Sequence, residues 1–306
     1  MQARRGPVRL VVVGSIGLDT IETPEARRED VLGGSVSYAC AAASFFTRVG
    51  MVGVVGTDFP DRFRRLYAQF GIDLAGLQTR PGKTFRWSGA YEPDMINRRT
   101  LSTELNVFEA FSPQLPEAYR NAPFLLLGNI APALQAHVLG QSRRPRFVVA
   151  DTMDLWIRTA RPALLDVVRR VDLLMVNDAE ARLLTGQHSL RACARRILDW
   201  GPAYVVVKKG EHGALLLSRD GAFLVPAYPV NRVRDPTGAG DSFAGAFLGR
   251  LARDGAVTGQ RLRSALLEAA SVASFGVEAF GLGALRSLRP ERIRRRTAEL
   301  KAMIRV

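Results

Sequence analysis

The sequence predicts an α/β fold: a central, mostly parallel sheet flanked by helices, with a small β-lid added to it. Three observations carry this reading. Short β-branched runs alternate with longer amphipathic stretches through most of the 306 residues, the rhythm of strand–helix–strand units. The runs are apolar throughout, as strands buried on both faces are. Several of them end in polar or glycine-rich turns, the edge at which open α/β sheets bind ligands.

Taken in order, VRLVVVG (8–14), MVGVVG (51–56), PFLLLGN (123–129), RFVVAD (146–151), DLLMVN (172–177) and AYVVVKKG (203–210) read as parallel strands. Helices are expected near 35–48, 59–70, 132–140, 161–170, 178–185 and 189–200. Two long ones follow near 239–253 and 259–277, and a basic helix closes the chain. Residues 83–108, KTFRWSGAYEPDMINRRTLSTELNVF, break the rhythm. Phe85 and Trp87 alternate with Thr84 and Arg86, and EPDMIN is a turn signal, so this stretch reads as a hairpin. It is expected to form the lid, together with part of 15–25, on a single domain spanning 1–306. The lid also offers a surface for a homodimer. No repeat or low-complexity tract is present.

Composition is that of a globular protein, 47% hydrophobic and 24% charged. No apolar run reaches the ~18 residues of a membrane span. The first apolar run is followed by Asp19, Glu22 and Glu25 rather than by a small-residue cleavage site, so a cytoplasmic location is expected. Cys40 and Cys193 cannot make a disulfide framework, and buried thiols are expected. His137, His188 and His212 stand singly, without metal-ligand spacing. The net charge of +14 and pI of about 10.8 raise the question of nucleic acid. The arginines are scattered apart from RRPR (143–146) and RPERIRRR (289–296), and no zinc-finger, aromatic RNA-binding or basic-zipper pattern accompanies them. Nucleic acid is therefore not the expected partner, although the charge favours anionic substrates such as nucleotides.

One stretch demands a chemical account. DPTGAGDSF (235–243) places an acid on each side of a turn of small residues, directly before an apolar helix. Small residues let a backbone approach an anion closely, and the first N–H groups of a helix lack partners and carry the positive end of its dipole. An Asp beside such a site would repel phosphate unless it takes a proton from an attacking hydroxyl. It could equally be an acid complementing the helix dipole. Spacing alone leaves the two readings level.

DPTGAGDSFAGAFL resembles the C-terminal signature of the PfkB, or ribokinase-like, kinases. The resemblance implies a ribokinase-like fold, with Asp241 as catalytic base and Gly238, Ala239 and Gly240 as the anion hole. Asp235 takes the place of an Asp that lies near a monovalent-cation site, which implies K+. Pro236 replaces the usual Thr. GSIGLDT (14–20) is similar to the first strand and turn of the family, which makes Asp19 the holder of substrate hydroxyls; its two oxygens suit two neighbouring OH groups. LGGSVSYACAAASFFTRVGMVGVVGTDFPDRF (32–63) resembles the N-terminal signature and implies Gly33 and Gly34 near the substrate. VNDAE (176–180) matches NxxE, so Asn177 and Glu180 would place Mg2+ and phosphates, largely through water. VVVKKGEHGALL (205–216) resembles the nucleotide-lining strand and turn, with Gly210, Gly213 and Lys208 or Lys209 near phosphate; Lys209 is the residue chosen here.

The departures concern the acceptor. Gly17, Ser35 and Tyr38 stand where ribose kinases of the family carry Asn, Lys and Asn. Tyr38 with Phe85 and Trp87 would make a stacking wall of the kind a nucleoside base needs, and these aromatics would equally suit lid packing. The expected function is ATP- and Mg2+-dependent phosphorylation of a hydroxymethyl group on a sugar, polyol or nucleoside. The alternative is a catalytically silent relative serving as a binding or nucleic-acid-associated scaffold. Retention of Asp241, the Gly-Ala-Gly turn and NxxE argues against it.

Overall fold

The computed structural model describes residues 6–304. Its strands are β1 (Leu10–Val13), β2 (Gly17–Thr23), β3 (Ala26–Gly33), β4 (Val49–Gly56), β5 (Asp73–Arg80), β6 (Phe85–Tyr91), β7 (Arg98–Glu104), β8 (Phe124–Leu127), β9 (Phe147–Ala150), β10 (Leu173–Asn177), β11 (Tyr204–Lys208), β12 (Ala214–Ser218) and β13 (Gly221–Val225). The helices are α1 (Ser35–Ser44), α2 (Asp61–Phe70), α3 (Glu117–Arg120), α4 (Pro132–Gln141), α5 (Asp154–Thr159) and α6 (Arg161–Val168), followed by α7 (Asp178–Thr185), α8 (Leu190–Trp200), α9 (Ala239–Asp254), α10 (Gly259–Gly276), α11 (Gly283–Arg286) and α12 (Pro290–Met303).

Nine strands form the central sheet in the order β13-β12-β11-β10-β9-β8-β1-β4-β5. All six strands expected from the sequence are in it and pair in parallel. Only β12 runs against the others, pairing antiparallel with β11 on one side and β13 on the other. Side-chain alternation splits the core in two. Leu10 and Val12 of β1 face a cluster shared with α1, α2, α9, α10 and α12, whereas Val11 and Val13 face a second cluster with α4, α6, α7 and α8. Helices thus cover both faces, which is why the strands are apolar on both sides.

A second sheet has four strands in the order β3-β2-β6-β7. β6 and β7 form the antiparallel hairpin within 83–108, and β2 lies parallel to β6. The chain between 15 and 25 does not stop there: β3 continues the sheet to Gly33. Its central residues Arg27, Arg28, Glu29 and Asp30 are exposed, which is why it gave no hydrophobic signal.

Helices α1 and α9 pack closely in parallel. A methyl group on Gly245 would overlap the Ala39 backbone, and one on Gly249 would lie 2.9 Å from the Ala43 Cα. Contacts advance by four residues on each helix, so both begin at the same end, where the site lies. Cys40 and Cys193 are buried free thiols. Among the described residues no helix is long and apolar enough to cross a membrane.

Candidate active site

The turn before α9 is shaped by backbone constraints. Gly238, the N-cap, is left-handed at φ 72° and supplies no side-chain cap. A methyl group there would overlap the Tyr38 ring, so glycine is required twice over. Asp235 staples the turn: one carboxylate oxygen accepts from the Thr237 N–H at 2.9 Å and the other from the Gly281 N–H at 2.9 Å. Ala239 N–H donates to the Pro236 carbonyl. The amides of Gly238 and Gly240 have no acceptor among the described residues. Asp241 is the third residue of α9. Burial pushes its carboxyl up to about 6, Asp151 adds to this, and Lys208 and Arg98 oppose it.

Opposite this turn stands Asp19 on β2, only 4% exposed. It leans on Gly33, where any methyl group would overlap its carboxylate. Its Oδ1 is buried without a partner. Burial first, then Asp235, push its carboxyl up to about 8, with Arg98 working the other way. Gly34 caps α1 at φ 88° without a side-chain bond. Ser35 and Ser15 brace each other: each hydroxyl accepts the other's backbone N–H at 3.2 Å. The Ser35 hydroxyl is thereby engaged in holding the turn. Tyr38, Phe85 and Trp87 each have packing partners of their own. Tyr38 is buried under Gly238, which has no side chain to hold it off, and its hydroxyl has no partner. Phe85 packs on Phe108 with centroids 5.4 Å apart, and Trp87 lies beneath Arg98.

The second sheet reaches the site through residues that no motif marked. Tyr91 and Arg98 are cross-strand neighbours on β6 and β7. The Tyr91 hydroxyl lies 3.1 Å from the Thr237 Oγ1 in the turn before α9. The Arg98 guanidinium is close enough to lower the carboxyls of both Asp19 and Asp241.

On the third side, Asn177 and Glu180 form a capping box at the start of α7. The Asn177 Oδ1 accepts the Glu180 N–H at 2.8 Å, and the Glu180 Oε2 accepts the Asn177 N–H at 2.7 Å. Burial pushes Glu180 up to about 7, against the pull of Lys208 and with a push from Asp151. Its second carboxylate oxygen has no donor among the described residues, and buried Asp151 and exposed Asp154 are near enough to raise its carboxyl further. This oxygen-rich set fits Mg2+. Among the described residues no three His, Cys, Asp or Glu side chains converge as a metal cage, so phosphate and water would have to complete the coordination. Lys209 closes the neighbouring turn by its backbone, its N–H donating to the Gly213 carbonyl at 2.8 Å, with Gly210 at φ 55° and Gly213 at φ 81°. The ammonium brought among the site acids is that of Lys208, 2.6 Å from the Asp151 Oδ2. Asp151 was not singled out by sequence, although it directly follows the buried strand β9.

A fold of this kind recurs in known proteins. The profile of the pfkB family of carbohydrate kinases matches residues 9–287. The chain belongs to the pfkB family. Its members transfer phosphoryl groups to alcohols, so this chain is a phosphotransferase with an alcohol acceptor. It is 32% identical to the cytidine kinase of Thermococcus kodakarensis over 252 residues, covering 80% of this chain and 88% of that protein. It is 29% identical to the deoxyribokinase of Salmonella typhi over 272 residues, 85% of this chain and 87% of that one. The structure of aminoimidazole riboside kinase from Salmonella enterica, complexed with aminoimidazole riboside and an ATP analogue, superposes with a TM-score of 0.74 at 20% identity, over 94% of this chain and 99% of that one. The ribokinase-like fold expected from the sequence is thus the fold observed.

Proposed function

We propose that this pfkB-family protein uses ATP and Mg2+ to phosphorylate a hydroxymethyl group of a sugar, polyol or nucleoside, a nucleoside being favoured by the likeness to cytidine kinase. The observation that carries this reading is the uncapped start of α9, with Asp241 in its first turn and Asp19 facing it. Asp19 holds the acceptor's hydroxyls, with Gly33 and Gly34 giving the acceptor room. The acceptor oxygen forms a bond to the γ-phosphorus as the bond from that phosphorus to the ADP oxygen breaks. The hydroxyl proton passes to Asp241. The free amides of Gly238 and Gly240 offset charge on the transferring group. Asn177 and Glu180 would hold Mg2+ at the phosphates, where it supplies charge neutralisation. The 209–213 turn would line the nucleotide.

The four-stranded sheet serves as a lid, since Tyr91 and Arg98 on it meet the site directly. Ile96 in the β6–β7 turn, Leu101 on β7 and Leu105 just after it are exposed, apolar surface suited to pairing with a second copy. A panel of nucleosides, sugars and polyols with ATP and Mg2+, read by ADP release, tests the function. Acceptor-dependent ADP release is expected, strongest with a nucleoside; ATP turnover with no acceptor in the panel would sink the reading.

A further inference from the structure

Lys208 is the last residue of β11 and stands in register with Asn177, the last residue of β10. Both lie at the carboxyl edge of the parallel sheet, where ligands bind. The Lys208 side chain is 17% exposed and that of its partner Asp151 is 7% exposed, so little solvent screens the pair. Asp151 is itself fixed: its Oδ1 accepts the Thr152 N–H at 2.9 Å, and its carbonyl accepts from the Gln135 Nε2 at 2.9 Å. An ammonium has three N–H groups. Asp151 is the one hydrogen-bond acceptor of Lys208 among the described residues, so two remain to be used.

The same ammonium lies 3.2 Å from the point a Cβ on Gly240 would occupy. It rests against the glycine whose free amide opens on the anion-binding turn. A larger residue at 240 would displace it. Three acids surround it, namely Asp151, Glu180 and Asp241. Burial works against its charge, and Asp151 and Glu180 more than offset this, so it stays protonated. A buried ion pair of this kind is weak support for stability, because desolvation consumes most of its attraction. A whole positive charge beside partial charges at an open helix end has another use, the recognition of phosphate.

We propose that Lys208 is a phosphate-binding residue of the donor site, held in place by Asp151 until nucleotide arrives. Its two open N–H groups then donate to oxygens of the terminal phosphate. Gly240 directly precedes Asp241, so a cation resting on it lies at the transferring end of the nucleotide rather than at its adenosine end. Asp151 is accordingly a positioning residue. The proposal rests on the reading of this chain as an ATP-dependent kinase, and the test separates the two.

Isothermal titration of the full chain, with Mg2+ present, compares a non-hydrolysable ATP analogue with AMP. Lys208→Met should weaken the ATP analogue by about 10- to 100-fold, the loss of one charge-assisted hydrogen bond, and leave AMP unchanged. Lys208→Arg should recover part of the loss. Because Lys208→Met strands Asp151 without a counter-ion, the neutral pair Lys208→Met/Asp151→Asn is measured alongside it and should show the same selective loss with a wild-type Tm. Asp151→Asn alone should bind the ATP analogue at least as tightly as wild type. Wild-type affinity for the analogue in the neutral pair, or an equal loss for AMP, would overturn the assignment of Lys208. A loss in Asp151→Asn as large as in Lys208→Met would overturn the holding role of Asp151. A wild-type chain that binds neither nucleotide would overturn the kinase reading instead.

Discussion

Helices α7 and α9 both start at the ligand edge of the sheet, and both carry an acid at their third residue, Glu180 and Asp241. Their fates differ because of one residue. The N-cap of α7 is Asn177, which accepts the Glu180 amide while Glu180 folds back onto the Asn177 amide. The N-cap of α9 is Gly238, which has no side chain and is pinned in the left-handed region against Tyr38. Asp241 has nothing to close onto and stays available. An acid in the first turn of a helix is thus engaged by the cap or left open according to which residue caps the helix.

This contrast can be broken by substitution. Asp241→Asn should lower kcat by about 1000-fold, within the range of a lost general base, while an ATP analogue still binds; retained turnover would remove Asp241 as base. Asp19→Ala should raise the acceptor KM by about 10- to 100-fold, the worth of one or two hydrogen bonds to a charged group, and leave the ATP KM within a few-fold. Equal effects on both would take Asp19 out of the acceptor site. The pH profile follows from the raised carboxyl of Asp241. The base acts when ionised, so kcat/KM should fall by about tenfold per unit below its value of about 6, and Asp19, pushed up to about 8, should add a second inflection through acceptor binding. Asp151, Lys208, Arg98, Asp19 and Tyr38 all face this group. Replacing Arg98 by Met removes a charge that holds the value down, and should move the acid limb to higher pH. The smallest effect is expected at α7. Asn177→Ala should cost about 1 kcal/mol of stability, roughly 2 °C in Tm. Glu180→Gln keeps the cap acceptor and should leave Tm unchanged while raising the Mg2+ requirement. A Tm loss in Glu180→Gln equal to that of Asn177→Ala would reduce Glu180 to a cap.

What was legible in the sequence follows from locality. The six buried parallel strands and the main helices announced themselves by apolar runs and periodicity. The β3 strand did not, because Arg27 to Asp30 are solvated on an edge of the small sheet. The β12–β13 hairpin was hidden for another reason, since its first strand merges with the glycine turn before it. In the site, Asp241, Asp19, Asn177 and Glu180 lie within short motifs that a reader can recognise. Asp151, Tyr91 and Arg98 come from separate elements and converge only in the fold. The ends of β9 and β11 carried a usable signal, an acid and a cation directly after apolar strands. Sequence offered both Lys208 and Lys209 beside the glycine turn, and only the fold shows that the Lys208 ammonium is the one paired with Asp151.

The glycine and alanine seam between α1 and α9 leaves no layer of side chains between the two helices to compress or slide. The Gly34 end, proposed to receive the acceptor, and the Gly238 end, proposed to receive phosphate, are thus set at one spacing, as by a gauge block. Enlarging any small residue in the seam would move both ends together. Differences in acceptor size among chains with this seam are therefore expected to reside in the four-stranded sheet. That sheet meets the core through separable contacts, such as Tyr91 with Thr237, Glu25 with Arg232 and Arg28 with Phe280.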